Sequence, residues 1–206
     1  MASGLNGLRR YTAAAVAGRG NVVPEIPLES NALPTGTVTF LFTDLEESTR
    51  LWEEQPEAMR AALARHHLIL QKAVEERGGS VFSRMGDGIV AVFASAPAAL
   101  EAAVGVQSLL QREMWGTSRP LRARMTLHTG DGILVDGHYL NSPLNRCARL
   151  MAAGHGGQVL LSGSTEGLVR DALPEQVVLS DLGSHRSPPS RPCDCSIPTP
   201  AISRCR

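Results

Sequence analysis

Two apolar runs, Ser80 to Met85 and Ile89 to Phe93, are separated only by Gly86-Asp87-Gly88. A gap that short, with a glycine on each side of an aspartate, calls for an antiparallel hairpin with Asp87 at its tip. Upstream, Leu51, Met59, Leu63, His67 and Leu70 recur at helical spacing as far as Gly78-Gly79, and Pro56 marks a break or a fresh start. Further back, Thr37 to Thr43 (TVTFLFT) is β-branched and aromatic and reads as a strand buried on both faces, ending at Asp44. Downstream the pattern predicts a helix from about Pro97 to Glu113, a strand over Leu121 to His128 and a helix over Ser142 to Ala153. A short strand at Gln158 to Leu161 and a helix after Ser162 close it. That order is an α+β arrangement of the ferredoxin-like kind, an antiparallel-rich sheet with helices covering one face.

At 206 residues the chain suits one domain plus tails. The expected boundaries are a disordered leader over residues 1–35, a folded domain over 36–183 and a disordered tail over 184–206. Four prolines between Pro188 and Pro198 argue against a helix or central strand in that tail. Cys193, Cys195 and Cys205 crowd it without the paired spacing of a zinc site, and Cys147 lies alone in the domain, so no disulfide framework is present and a reducing cytoplasm is the expected compartment. Acidic and basic residues balance at 20 each, which supplies no field for nucleic acid or an anionic membrane. The apolar runs fall far short of the roughly 20 residues that cross a bilayer.

Asp44 after a buried strand and Asp87 at a hairpin tip can sit at the same end of neighbouring strands. Two carboxylates there suit a hard divalent ion such as Mg²⁺, which takes its remaining ligands from water and substrate phosphates. The ordinary alternatives are a helix N-cap for Asp44 and a turn former for Asp87. Ser48 and Thr49 follow at the start of a helix, where unpaired backbone N–H groups can cradle phosphate, although Glu46 and Glu47 oppose an anion. Asn145 and Arg149, four residues apart, share one helix face and can meet one ligand, the amide orienting a ribose and the guanidinium a phosphate. An exposed amphipathic helix would look the same.

Together, Phe42-Thr-Asp-Leu-Glu-Glu-Ser-Thr-Arg-Leu-Trp52, Met85-Gly-Asp-Gly88, Leu127-His-Thr-Gly130 and Leu144-Asn-Arg-Cys-Ala-Arg149 resemble the class III nucleotidyl cyclase catalytic domain, in its short actinobacterial form. The resemblance covers about residues 36 to 183. It implies a ferredoxin-like cyclase homology domain that converts ATP to cyclic AMP and pyrophosphate with two Mg²⁺ or Mn²⁺ ions. By the same resemblance, Asp44 and Asp87 are metal ligands, Leu45 lends a backbone carbonyl, and Asn145 and Arg149 are the transition-state pair, supplied by the opposite subunit of a homodimer.

The chain departs from the family where the purine is read. Ser83 stands at the place of a lysine and His138 at the place of an aspartate, and Asn141 stands where glycine is frequent. Serine lacks the lysine's reach and charge, and a neutral imidazole can accept from adenine or donate to guanine, so GTP stays open as a substrate. Arg84 alternates to the other strand face and could replace the lysine only through a bulge. Lys72, the only lysine of the chain, falls on a helix. The family's closing strand finds no match beyond Arg186. A degenerate cyclase domain that binds nucleotide or merely dimerises is the competing reading.

Overall fold

The computed structural model describes residues 33–175, 177–185 and 197–204. Its first strand, β1 (Gly36–Leu45), leads into α1 (Ser48–Glu54) and α2 (Pro56–Glu75), with Pro56 opening the second helix. The hairpin follows as β2 (Ser80–Met85) and β3 (Gly88–Phe93), then α3 (Ala96–Arg112) and β4 (Ala123–Gly132). A two-residue hairpin, β5 (Leu134–Val135) and β6 (His138–Tyr139), precedes α4 (Asn141–Met151). The remaining elements are β7 (Val159–Leu161), α5 (Gly163–Val169), β8 (Val177–His185) and β9 (Ile197–Arg204).

The sheet runs β2-β3-β1-β4-β7-β9-β8, antiparallel throughout except for the parallel pair β4 and β7. Its first four strands have the ferredoxin-like order. Alternation along β1 sends Leu41 and Leu45 into a core with α2 and α3, and sends Val38, Phe40 and Phe42 to the other face, against Cys147 and Met151 of α4. Helices therefore cover both faces, where the sequence pattern suggested one. The reason is that β4 and β7 are parallel, and α4 lies on the connection between them.

Within α2, Met59, Ala62, His66, Ile69, Leu70, Ala73 and Val74 are buried, so the helix turns His66 rather than His67 into the core. The leader expected to reach residue 35 is shorter than that: Leu33 packs on the second core, and the Pro34 carbonyl accepts a 2.5 Å hydrogen bond from the Tyr139 hydroxyl.

The tail also departs from expectation. Residues 197–204 form β9, lying between β7 and β8 and pairing with β8 from Val177↔Arg204 to His185↔Ile197. Pro198 and Pro200 are two apart, so their missing N–H groups fall on the same edge of the strand and one ladder survives. The β8 ladder is long, while β7 registers only Leu160↔Ala201. Residues 1–32 and the three tail cysteines lie outside the described residues.

Candidate active site

The strand that carries Asp44 does not stop there. It continues to Leu45, and the N-cap of α1 is Glu47, so Asp44 is not a helix cap. By alternation Asp44 shares the face of Phe40 and Phe42, and it lies opposite Arg124 of β4, with which it forms a half-buried ion pair. Sequence reasoning missed Arg124. Its signal was available in the four-residue offset from His128, which fixes it on the same face of β4 once the strand is known.

The Leu45 backbone can be placed from the ladder. Glu46 donates its N–H to the Arg122 carbonyl at 2.9 Å, and hydrogen-bonded pairs alternate along an antiparallel ladder. The Leu45 carbonyl therefore turns away from β4, toward the side of β3 and its hairpin. On that side, past the Phe42↔Val90 pair of β1 and β3, the Ile89 N–H donates to a side chain, Thr43 Oγ1, at 2.9 Å.

The hairpin turn is Gly86-Asp87, with Gly86 at φ 63 as the first position of a type II′ turn requires. Gly88 passes so close to β1 that a Cβ there would collide with the Thr43 carbonyl oxygen, and this close approach brings Asp87 up to Asp44. Burial raises the Asp87 carboxyl above its ordinary range; the Ser48 hydroxyl opposes that shift, and the neighbouring Asp44 carboxylate adds to it. Ser48 is half-buried at the start of α1 and Thr49 is exposed.

The helix start expected to cradle phosphate is the short α1. The helix has only 7 residues, and its N-cap makes no side-chain cap bond. The two acidic residues ahead of it are engaged elsewhere: Glu46 accepts from the Gly156 N–H at 3.0 Å and Glu47 from Arg119 at 3.0 Å.

The donor set left at this end of the sheet is two adjacent carboxylates, one hydroxyl and one main-chain carbonyl. That set fits Mg²⁺ or Mn²⁺, which prefer oxygen and would compensate both the burial of the Asp87 carboxylate and its repulsion by Asp44. Among the described residues no group of three or more His, Cys, Asp and Glu side chains is poised for a metal, so the other ligands would be water and phosphate oxygens.

Ser83 owes its position to a bulge. The register shifts between Val81 and Ser83, so that Val81 lies opposite Ala91, Ser83 opposite Val90 and Arg84 opposite Ile89. Without the shift Ser83 would point toward α2; with it, Ser83 joins the row of Val90 and Phe42, on the face of Asp44. Phe82 turns to the same face, its ring 6.1 Å from Phe40 and 5.0 Å from Tyr139. The bulge does not deliver Arg84, which stays on the α2 side and donates to Gln71 at 2.7 Å.

His138 is exposed at the end of a type I′ turn made by Asp136 (φ 50) and Gly137 (φ 78). Its neighbour Tyr139 touches Phe82, so the turn packs beside β2, but among the described residues no hydrogen bond joins His138 to Ser83.

Asn145 and Arg149 lie on α4 as the spacing predicts, exposed, while Cys147, Leu150 and Met151 face inward. Neither has a hydrogen-bond or ion-pair partner among the described residues. Under the same helix, His128 donates to or accepts from Ser162 Oγ at 2.9 Å, and burial together with the charge of Arg146 pushes its pKa down to about 4.

Residues 31–185 match the family described as the adenylate and guanylate cyclase catalytic domain. An uncharacterised protein of Mycobacterium tuberculosis is 40% identical over 172 residues, covering 82% of this chain and 56% of that protein. An adenylate cyclase of Neurospora crassa is 29% identical over 177 residues, covering 70% of this chain and 8% of that protein. The chain thus spans about half the length of its mycobacterial relative and a small part of the fungal one. The crystal structure of the adenylyl cyclase CyaB from P. aeruginosa superposes with a TM-score of 0.69 at 23% identity, over 84% of this chain and 96% of that one, which establishes the fold. No helix among the described residues is long and apolar enough to cross a membrane. Sequence, fold and the four ordered motifs agree: the chain belongs to the class III adenylate and guanylate cyclase catalytic domain family.

Proposed function

We propose that this domain converts ATP to 3′,5′-cyclic AMP and pyrophosphate, as a homodimer whose sites are shared between two chains. The observation that carries the reading is the pair of carboxylates, Asp44 and Asp87, brought together at one end of the sheet although burial and Asp44 both disfavour the charge of Asp87. Arg124 answers only Asp44, so the second carboxylate stays costly until another cation meets it, and sites that tolerate such a cost are commonly functional.

When bound by Asp44, Asp87 and the Leu45 carbonyl, a pair of Mg²⁺ or Mn²⁺ ions would neutralise triphosphate charge and ease loss of the attacking hydroxyl's proton. In the reaction the ribose 3′ oxygen bonds to the α-phosphorus, the bond from that phosphorus to the bridging oxygen breaks, and pyrophosphate leaves with the electron pair. The hydroxyl proton passes to solvent. Arg149 supplies two parallel N–H donors to the α-phosphoryl oxygens as negative charge builds, and Asn145 holds the ribose. Both reach the carboxylates of the other protomer, since within one chain they face outward. Arg124, beside Asp44, becomes free to meet a phosphate once Asp44 has another cation to bind. Ser83 and His138 would face the purine, Ser48 and Thr49 would flank the phosphates, and the need for ATP places the activity in the cytoplasm.

The purified chain with Mn²⁺ and ATP should release cyclic AMP, and Asp44→Ala should lower the rate roughly 100-fold to 1,000-fold. Full activity in Asp44→Ala would overturn the metal assignment. A second reading, a domain that binds nucleotide without turning it over, is favoured by Ser83 and His138, which replace the family's charged purine contacts. Binding of ATP or GTP with no cyclic product from either, in either metal, would select it.

A further inference from the structure

The turn between β1 and α1 is fastened on both sides. Glu46 is anchored to Arg122 through its N–H and to Gly156 through its carboxylate, at 2.9 and 3.0 Å. The next residue, Glu47, sits at φ 56, in the left-handed region that side chains other than Gly, Asn and Asp rarely adopt. Its carboxylate accepts from Arg119 Nη1 at 3.0 Å, while Nη2 of the same arginine reaches Glu54 at 3.4 Å. Glu47 is the N-cap of α1 and Glu54 its last residue, so one guanidinium brackets the helix from end to end. The loop that carries Arg119 is tied down in turn, the Ser118 N–H donating to Gln55 Oε1 at 2.9 Å just past the end of α1.

A helix of 7 residues with no side-chain cap has little stability of its own, and its place is set by what holds it. Its first residue is Ser48, the neighbour of Asp87. We propose that Arg119 is a positioning residue for the metal site: by holding Glu47 left-handed and bracketing α1, it keeps Ser48 beside Asp87 and fixes the carboxylate pair for a divalent cation. This rests on the reading of Asp44 and Asp87 as metal ligands. The pairs themselves are exposed, with side-chain exposures of 37% for Arg119, 63% for Glu47 and 39% for Glu54, so as stability elements they count for little. Their effect should therefore show in metal binding rather than in melting.

The test is a Mn²⁺ titration of the full chain followed by electron paramagnetic resonance, with no nucleotide present and thermal melting as the fold control. Arg119→Ala should weaken Mn²⁺ binding about tenfold and change the bound-ion spectrum, with melting nearly unaltered. Adding Glu47→Gly to Arg119→Ala should restore binding, because glycine takes the left-handed conformation unaided, and Arg119→Lys should restore part of it. Wild-type binding in Arg119→Ala, or no rescue by Glu47→Gly, overturns the inference while leaving the metal site standing. If the wild-type chain binds no Mn²⁺, or Asp44→Asn binds as well as wild type, the metal reading fails and the inference with it. Should Arg119→Ala not fold, Glu47→Gln breaks the same pair with the arginine in place and is read in the same way.

Discussion

At the Asp44 end of β1 the polar groups answer one another inside the chain: Asp44 leans on Arg124, Glu46 on Gly156 and Glu47 on Arg119. The exposed strip of α4 is the reverse, with Asn145 and Arg149 facing outward and partnered by nothing among the described residues. A guanidinium left in water keeps its hydration and its freedom, so it can be given to another surface at the cost of its own side-chain entropy alone. One region is satisfied within the chain and the other is not, which is the arrangement a site shared between two chains would need. Breaking one half in one chain and the other half in a second chain tests this most severely. Asp44→Ala and Arg149→Ala should each be nearly inactive alone, and their mixture should recover about a quarter of the wild-type specific activity, since random pairing gives half heterodimers with one intact site each. Heterodimers that form without recovery would mean that the two regions never meet across an interface.

The same two regions respond to acid with opposite signs. His128, beneath α4, has its pKa pushed from 6.5 down to about 4, so between those values the unfolded chain binds more protons than the folded one. Its contribution is complete above pH 6.5 and disappears as the pH falls toward 4, for a loss of at most about 3 kcal/mol. His66, pushed by burial to about 3, acts in the same direction from the α2 side. Urea unfolding at pH 7 and pH 4.5 measures the sum. In His128→Asn the pH slope should flatten, and an unchanged slope would assign the acid sensitivity elsewhere.

Much of this was legible in the residues. The hairpin, the glycine stop at Gly78-Gly79 and the position of α4 all follow from period and turn chemistry, because local rules govern them. Strand parity decided the rest, and single-residue shifts were invisible. Extending β1 by one residue past Asp44 converts a cap into a strand-face carboxylate, and a bulge at Phe82 moves Ser83 from one face of the sheet to the other. β9 was lost because two prolines outweighed six residues able to pair, and the rule against prolines in central strands counts N–H groups without asking which edge they serve. Glu47 is the clearest case: nothing in the sequence marks it as left-handed, since the conformation is imposed by Arg119, 72 positions away.

Ser83 sharpens the comparison at the place where the two halves should close on a base. The bulge leaves it half-buried on the face of Asp44, where a longer cationic side chain could reach a purine ring. Ser83→Lys should improve ATP over GTP, read as the ratio of kcat/KM, about tenfold, the worth of one charge-assisted hydrogen bond. An unchanged ratio would place base recognition away from β2.

The smallest expected effect is the most diagnostic of why the two carboxylates stand together. Asp87 has a raised pKa, so its ionised form costs folding stability above that pKa, and the cost is relieved as the pH falls, the opposite of His128. Removing the charge should remove the cost. Asp87→Asn is therefore expected to raise the metal-free stability slightly at pH 7, while Mn²⁺, which should raise the melting temperature of the wild-type chain, no longer does so. If Asp87 were only a turn former held by its neighbours, Mn²⁺ would shift neither protein. The response to Mn²⁺ separates a carboxylate kept for a cation from one kept for the hairpin, because only the first is stabilised by the ion.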